Sequence, residues 1–416
     1  MAWINKRSLI LFFLVFTWPL CCLADLASET VYLTWQSQPE TTMMIQWISE
    51  TDNENDTIWY QAIEEQEWHQ AVGFHWFFPD SHSQYFIHRI ELTRLQPNTS
   101  YRFKLACSNQ TYLFRTMPLT NDQPIRFVIG GDMYHDAIDF LKNTNKQAAK
   151  TNPHFAILGG DIAYSVGRLR SSAKVSKWIE WIQAWSADMV TPAGYSIPVV
   201  AAVGNHDVVG QFKQTPKQAK IFLDLFPRTT QLTYTTLDFG SYLSLFMLDS
   251  GHASSIHGQQ LHWLETALKA RKLNPHRFAI YHVPAYPSIR SYHNKYSKAI
   301  RRYWVPLFEE TGIQLAFEHH DHAYKRTYPL LQNKVNSKGI IYLGDGAWGV
   351  EHPRRRRFNR KSFYIAKQEA VRHFMLVTLY PQHQHVLSIS DCGQVIDELV
   401  NRIPIFPSLI KPIPQY

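Results

Sequence analysis

The chain has 416 residues, of which 45% are hydrophobic and 18% are charged. This length suits two or three domains, and the high apolar and aromatic content excludes an intrinsically disordered protein. The formal net charge is +8, and much of it lies in one basic cluster in the C-terminal third of the chain.

An export signal is predicted at the N-terminus. Lys6 and Arg7 precede a short apolar run, and Ala24 provides a small residue for cleavage. We therefore predict a signal peptide over residues 1–24 and a secreted or periplasmic protein with no stable membrane span after cleavage. An uncleaved anchor is the alternative, but a span usually needs about 20 apolar residues and Pro19 interrupts this run.

Cleavage at this point leaves two of the four cysteines, Cys107 and Cys392. An oxidising compartment permits a disulfide between them, and two buried free thiols are the alternative. The sequence alone does not decide between the two.

Residues 28–117 are predicted to form an all-β sandwich. Short runs with alternating apolar residues, such as Val31, Leu33 and Trp35, are separated by turn-like segments, a pattern typical of strands. The passage Leu95–Tyr101 resembles a fibronectin type III-like module. We expect a structural or substrate-flanking role, with sugar or protein binding as the alternative.

Residues 124–400 are predicted to form an α/β domain with mixed sheets, followed by a C-terminal tail over residues 401–416. Apolar runs of strand length alternate there with longer segments of helical period. Two stripes have the spacing of a buried helix face: Trp178, Trp181, Ile182 and Trp185, and Leu261, Leu264 and Leu268.

Five apolar runs of this domain end in possible metal ligands. The ligands that follow them in chain order are Asp132, Asp161 with Tyr164, Asn205, His282, and His320 with His322. Because sites in open α/β sheets form at the carboxyl ends of strands, these segments are expected to converge. Oxygen and imidazole donors without thiolates favour iron, zinc or manganese, and there are too many donors for one ion.

These segments resemble the signature of purple acid phosphatases within the metallophosphoesterase superfamily. The family pattern has a first Asp, Gly-Asp-x-x-Tyr, Gly-Asn-His-Glu/Asp, a His after a strand, and Gly-His-x-His. Here the pattern appears at Gly131–Asp132, Gly160–Tyr164, Gly204–Asp207, Ala279–His282 and His319–His322. The resemblance covers almost the whole chain after the signal, so the β-sandwich corresponds to the module that precedes the catalytic domain in the plant-type family.

The resemblance implies a dinuclear metal centre. Its expected ligands are Asp132, Tyr164 and His322 for Fe(III), Asn205, His282 and His320 for a second divalent ion (zinc, iron or manganese), and Asp161 as the bridge. Tyr164 is the discriminating residue, because a phenolate suits the ferric ion and most two-metal phosphoesterases lack a tyrosine there.

The resemblance also implies an acid phosphatase that acts on small phosphate monoesters through a metal-activated hydroxide. His206 would stabilise or protonate the leaving oxygen, and His293, eleven residues after the fourth-motif histidine, would assist it. Weaker candidates for the same work are His135, His252 and His257.

Two other functions stay open at this point. One is a phosphodiesterase or nucleotide pyrophosphatase on the same metal core. The other is a surface binding protein with a vestigial metal domain, although all seven expected ligands are present. The chain also departs from the family pattern at Met133, Tyr134 and His319, which place side chains where backbone is expected to pass closely, so we expect an altered pocket shape.

The basic cluster comprises Arg354–Arg357, Arg360 and Lys361. Such a cluster attracts phosphorylated substrates, anionic lipid or nucleic acid, and a solvated loop is the simpler interpretation. Only one aromatic residue, Phe358, lies within it, whereas single-strand binding uses several aromatic side chains on which successive bases stack, so nucleic acid is not expected as a specific partner.

Overall fold

The computed structural model describes residues 26–50, 52, 56–79, 84–167, 172–344, 346–355 and 362–403. The predicted signal peptide, residues 1–24, lies outside the described residues, and so do residues 404–416 of the predicted tail and residues 356–361 of the basic cluster. Within the described residues, no helix combines the length and the apolar character that a membrane crossing requires.

The N-terminal region is all-β, as predicted. After a short helix α1 (Leu26–Glu29), its strands are β1 (Tyr32–Thr34), β2 (Met43–Ser49), β3 (Thr57–Ala62), β4 (His69–Val72), β5 (Phe74–Phe77), β6 (Phe86–Leu92), β7 (Ser100–Leu105) and β8 (Tyr112–Arg115). They form two four-stranded antiparallel sheets, with strand orders β1-β2-β6-β5 and β4-β3-β7-β8.

The second region contains mixed sheets and helices, which confirms the predicted α/β class. Its helices are α2 (Ile138–Lys150), α3 (Val175–Asp188), α4 (Lys220–Leu225), α5 (Gln259–Ala270) and α6 (Lys295–Thr311), with 3-10 turns at Asn205–Asp207 and Pro216–Ala219. Its strands are β9 (Ile125–Gly130), β10 (Phe155–Leu158), β11 (Val199–Ala201), β12 (Thr235–Phe239), β13 (Leu243–Met247), β14 (His276–Ile280), β15 (Leu315–Glu318), β16 (Tyr324–Thr327), β17 (Leu330–Leu331), β18 (Lys334–Val335), β19 (Ile341–Gly344), β20 (Ile365–Glu369), β21 (His373–Tyr380), β22 (His383–Ser390) and β23 (Val395–Arg402).

Two mixed sheets face each other in this region. In the six-stranded sheet, order β11-β10-β9-β21-β22-β23, the first three strands are parallel and the last three are antiparallel additions. In the seven-stranded sheet, order β12-β13-β14-β15-β19-β16-β20, the strands from β13 to β19 are parallel. The parallel strands therefore deliver their carboxyl ends to one edge of each sheet.

The largest core cluster fills the space between the two sheets. The Phe155 ring stacks on Phe127 at 5.0 Å between centroids and on Phe239 of the other sheet at 4.5 Å. Trp35 of the β-sandwich packs edge-on against both Phe155 and Phe239, so the same core continues into the N-terminal region. Since fully burying one such ring contributes about 1.5–3 kcal/mol, this core fixes both sheets relative to the sandwich.

Helices cover the outer faces of both sheets. On the six-stranded side, α3 buries the predicted Trp178, Trp181 and Trp185 stripe, which confirms its interpretation as a core surface. On the seven-stranded side, α5 and α6 cover the sheet with residues such as Leu264 and Trp304. The result is a four-layer arrangement of helices, sheet, sheet and helices.

Polar contacts also connect the β-sandwich to the α4 segment. The Tyr32 hydroxyl donates to the Leu225 carbonyl at 2.9 Å, and the Trp76 indole N–H donates to the Asp224 carboxylate at 3.1 Å. Arg89 donates to the Asp224 carbonyl and lies over the Trp76 ring. One face of the sheet that contains β5 and β6 is therefore held against the α/β region.

Neither alternative considered for the two cysteines is found. Cys107 and Cys392 are not joined in a disulfide, and both are exposed rather than buried.

Candidate metal centre

The seven predicted ligands lie in loops that follow strands of both facing sheets. Asp132 follows β9, Asp161 and Tyr164 follow β10, and Asn205 follows β11; His282 follows β14, and His320 and His322 follow β15. Backbone hydrogen bonds continue past the strand ends, since the Asp132 N–H donates to the Gly160 carbonyl at 3.0 Å and the His319 N–H donates to the His282 carbonyl at 2.9 Å. These bonds hold the loops side by side.

Backbone conformation marks the same residues. Five of the seven have left-handed backbone angles: Asp132 (φ 55°), Asp161 (φ 55°), Tyr164 (φ 47°), His320 (φ 76°) and His322 (φ 61°). Such conformations cost about 1–3 kcal/mol each for residues with a side chain, and they persist where the surroundings hold them and where function requires them. Because five such conformations occur among the seven predicted ligands, we infer that the backbone of these loops is determined by where the side chains must lie and not by local stability.

Two glycines allow the loops after β10 and β11 to touch. Gly160 has φ 94°, and a Cβ atom there would lie 2.5 Å from the Gly204 nitrogen. A Cβ atom on Gly204 would lie 2.2 Å from the Asp161 nitrogen. Any larger residue at either position would separate Asp161 from Asn205.

One group of donor atoms contains Asp132, Tyr164 and His322. The Tyr164 hydroxyl lies 2.7 Å from Asp132 Oδ1 and 2.9 Å from His322 Nε2. His322 Nε2 lies 2.9 Å from Asp132 Oδ1. Three donors from three loops therefore converge on one point.

A second group contains Asp161, His282 and His320. His282 Nε2 lies 3.1 Å from Asp161 Oδ2 and 3.0 Å from His320 Nδ1. The other nitrogen of His282 donates to the Gly159 carbonyl at 3.0 Å, which fixes the orientation of the ring. Asn205 Oδ1 is buried and has no hydrogen-bond partner.

The unpartnered Asn205 oxygen tests whether these residues fit a metal. A buried polar atom without a partner is destabilising, so the folded structure needs a reason to keep it. The next residue, His206, donates its backbone N–H to Asp161 Oδ1 at 2.6 Å, so the Asn205 loop adjoins the second donor group. The carboxylate and imidazole lone pairs of that group are what a cation requires. The residues therefore fit a metal centre with two adjoining donor groups.

The charges of the site also favour a cation. Burial alone would lower the pKa of the His282 imidazole, but the Asp161 and Asp132 carboxylates outweigh it and raise the pKa to about 9. Burial alone would raise the pKa of the Asp161 carboxyl, but His282, His206 and His320 together hold it well below its ordinary value. Two ionised carboxylates in a buried site create a strong preference for positive charge between them.

Asp207 joins the loop that carries Asp161 to the loop that carries Asn205. Its carboxylate accepts the backbone N–H groups of Asp161 at 2.8 Å, Ile162 at 2.9 Å and Gly204 at 2.9 Å. Asp207 is the last residue of the Gly204–Asp207 motif, but no role was predicted for it from the sequence. Its contacts make it a positioning residue for the loops that carry Asp161, Tyr164 and Asn205.

Two family models match parts of the chain. Residues 28–116 match the family model described as the purple acid phosphatase N-terminal domain, and residues 125–324 match the model of calcineurin-like phosphoesterases. Purple acid phosphatase 21 of Arabidopsis thaliana is 24% identical over 290 residues, or 67% of this chain and 61% of that protein. Acid phosphatase type 7 of Mus musculus is 21% identical over 411 residues, or 89% of this chain and 90% of that protein.

A solved structure has the same fold. Purple acid phosphatase PPD1 from yellow lupin (Lupinus luteus) seeds superimposes with a TM-score of 0.73 at 16% identity, covering 90% of this chain and 74% of that one. This chain belongs to the purple acid phosphatase-like calcineurin-like phosphoesterases. It spans about three fifths of the length of the first plant relatives that it matches.

The other predicted histidines occupy different positions around this candidate metal centre. The His206 ring stacks on Tyr164 at 4.5 Å, and its Nδ1 donates to the Val166 carbonyl at 2.5 Å. His135, considered a weak candidate, packs edge-on against Tyr164 at 4.7 Å and against His322 at 5.5 Å. Both partly exposed rings therefore border the Asp132 group.

The remaining candidates are less directly placed. His293 is exposed, and its contacts are with Tyr292 and Ser291 rather than with the predicted ligands. Buried His252 packs near His282 at 5.6 Å, where burial and the His282 charge lower its pKa to about 3. His257 is exposed and packs beside Tyr303. The assisting role of His293 stays a prediction.

The three residues that depart from the family pattern, Met133, Tyr134 and His319, are all buried. The His319 ring is fully buried in the space left by Gly159, where a Cβ atom would lie 1.8 Å from His319 Nε2. Met133 is buried in the core beneath α3, and the Tyr134 hydroxyl donates to Glu180 of that helix at 2.5 Å. The three side chains are therefore packed into the protein interior.

Two arginines border the centre. Arg290 donates to the His320 carbonyl and to the Asp321 carboxylate, the latter at 3.1 Å. Arg354 is half-buried, and its backbone N–H donates to the His322 carbonyl at 2.7 Å. Burial and the Arg290 charge lower the pKa of the Arg354 guanidinium, against the attraction of Asp132. The first residue of the basic cluster is thus part of the site's surroundings.

Replacement of Asp207 tests its positioning role. We expect Asp207→Ala to lower the metal affinity of the purified protein by about 10–100-fold, because three buried N–H groups lose their acceptor and the ligand loops separate. Metal content after dialysis against graded metal concentrations provides the measurement. The control is Asp122→Ala, at an exposed position in the linker before β9. Equal metal affinity in both variants would contradict the role.

Proposed function

We propose that the chain is an exported acid phosphatase that hydrolyses small phosphate monoesters at a dinuclear metal centre. The observation that carries this proposal is the convergence of six donor side chains, from loops of both sheets, into two adjoining groups. The buried Asn205 oxygen lies on a loop that contacts Asp161. Phosphate esters are anions, and a pair of cations at one strand edge suits their recognition and hydrolysis. Export rests on the predicted signal peptide alone.

The two groups suit different ions. In this proposal Asp132, Tyr164 and His322 would hold Fe(III), and Asn205, His282 and His320 would hold a divalent zinc, iron or manganese ion. Asp161 would serve both ions. Tyr164 supports the ferric assignment, because its phenol oxygen lies 2.7 Å from Asp132 Oδ1 and 2.9 Å from His322 Nε2, within the same donor group. Burial and the Asp132 carboxylate raise the pKa of this phenol well above the ordinary value, so it stays protonated unless a cation binds beside it. A phenolate there requires a strongly charged, hard cation beside it.

Bound ions supply a water-derived nucleophile and neutralise negative charge on the phosphoryl oxygens. The protein's own residues position and protonate the substrate. His206 is held by Val166 through Nδ1, so its Nε2 is the atom available to give a proton to the leaving oxygen. Its backbone N–H donates to Asp161 Oδ1 at 2.6 Å, which couples the position of this acid to that of the shared carboxylate.

Positive charge beside the centre supports an anionic substrate. Arg354 lies near enough to Asp132 and Tyr164 for their charges to influence its pKa, and Arg290 lies next to it. Arg290 is occupied in holding the loop that carries His320. Arg354 is therefore the residue that we assign to attracting the substrate's phosphate group.

The acid role of His206 is tested by leaving-group dependence. We expect His206→Ala to lower turnover by about 10²-fold or more for alkyl phosphates, whose leaving oxygen needs a proton. The loss should be much smaller for an activated aryl phosphate, which leaves without protonation. Steady-state kinetics with both substrates provide the measurement.

The control for this experiment is His257→Ala, an exposed histidine that packs beside Tyr303. It should leave both turnover numbers unchanged. Equal losses on both substrates in His206→Ala would show a role in binding or metal placement instead. In the same assay, wild type that prefers an aryl diester to the matching monoester would overturn the monoesterase proposal in favour of a phosphodiesterase.

The ferric assignment is tested by colour. A phenolate on Fe(III) gives a broad visible charge-transfer band, so the isolated protein should be pink to violet, and Tyr164→Phe should remove the band. Tyr134→Phe is the matched control, since that hydroxyl donates to Glu180 and not to a predicted ligand. A colourless wild type with two zinc or manganese ions and unchanged activity in Tyr164→Phe would refute the ferric centre.

A further inference from the structure

A second group of metal-binding side chains lies in the β-sandwich. His75 Nδ1 lies 2.7 Å from Asp56 Oδ2, and His88 Nδ1 lies 2.5 Å from Asp56 Oδ1. The donor atoms of all three residues are within 4.8 Å of one another. This group shares no residue with the predicted phosphoesterase centre.

The fold brings these three residues together from both sheets. His75 on β5 and His88 on β6 are direct partners in the antiparallel register, so both side chains lie on the same face of that sheet. Asp56 immediately precedes β3 of the other sheet. Its carbonyl accepts the Gly73 N–H at 2.8 Å, just before β5 begins. The group therefore bridges the two sheets.

The outer nitrogen of each imidazole already has an oxygen partner. His75 Nε2 donates to Asp52 Oδ1 at 2.8 Å, and His88 Nε2 lies 2.7 Å from Ser49 Oγ. Metal-binding histidines are usually held in this way, with one nitrogen on the ion and the other on an oxygen. Trp47 stacks on the His88 ring at 4.9 Å and 7° between planes, which fixes that ring further.

Burial and access are also suitable for an ion. The side chains of His88 and Asp56 are 2% and 9% exposed, whereas the side chain of His75 is 19% exposed. The rigid ligands are thus inside, and one side is open to solvent. A cation can enter there, and a water molecule can complete its coordination.

We propose that Asp56, His75 and His88 form a zinc site that joins the two sheets of the β-sandwich. Two imidazole nitrogens and one carboxylate, without a thiolate, are a donor set that zinc accepts together with water. When zinc binds, both Nδ1 atoms present a lone pair to the ion. His75 releases to solvent the proton that its Nδ1 directs at Asp56, and the ring proton of His88 moves from Nδ1 to Nε2, where Ser49 Oγ accepts it. The +2 charge of the zinc ion is balanced by the negative charges of Asp56 and Asp52. This proposal does not rest on the phosphatase proposal.

The experiment compares full-length variants by zinc content and thermal stability. The protein is stripped with a chelator, dialysed against Zn²⁺ and analysed for metal by mass spectrometry. We expect His75→Ala to hold one zinc ion fewer per chain than wild type, and added Zn²⁺ to raise the melting temperature less than in wild type. Phosphatase activity should match wild type, which separates this site from the phosphoesterase centre.

His69→Ala is the matched control, because His69 lies on β4 of the same sandwich and pairs with Glu65 at the surface. It should bind as much zinc as wild type. Equal zinc content in wild type, His75→Ala and His69→Ala would overturn the proposal and leave a metal-free hydrogen-bonded group. Should His75→Ala fail to fold, zinc-edge anomalous diffraction from wild-type crystals decides: a peak between Asp56 and the two histidines supports the site, and no peak overturns it.

Discussion

The structure of the α/β region depends on the burial of two carboxylates, Asp132 and Asp161. Both side chains are almost completely removed from solvent, and an isolated carboxylate is very unfavourable in such surroundings. The surrounding loops therefore supply positive charge and hydrogen-bond donors, including His282, His322 and the backbone N–H of His320. A cation beside each carboxylate satisfies the same requirement, and the donor groups are arranged for it.

This requirement explains why local backbone strain is accepted at the strand ends. The left-handed conformations at the ligands turn the side chains inward immediately after each strand, and the facing sheets hold those turns in place. Asp207 shows the same principle, because a third buried carboxylate is used only to accept three backbone N–H groups. An intact centre with this much support is not what a vestigial metal domain would retain.

The sequence predicts the elements that have a local cause. Apolar runs that end in Gly-Asp or Gly-Asn-His identify β9, β10 and β11 and the loops after them, and the Trp178 stripe identifies α3. Other features depend on distant residues. His319 replaces a family glycine, but its burial against Gly159 follows from the approach of two loops 160 residues apart. Likewise, strand register brings His75 and His88 together, and the packing of a second sheet brings Asp56 to them. No short sequence motif therefore predicts that these three residues meet.

We propose that phosphate ester hydrolysis by this chain depends on metal ions held by the two donor groups and Asn205. The most direct measurement is the phosphatase activity of the purified full-length chain before and after complete removal of metal, with metal content determined at each stage. We expect at least two ions per chain at the start, loss of activity with their removal, and recovery of activity when iron and a divalent ion are returned. Full activity in metal-free protein would contradict this proposal.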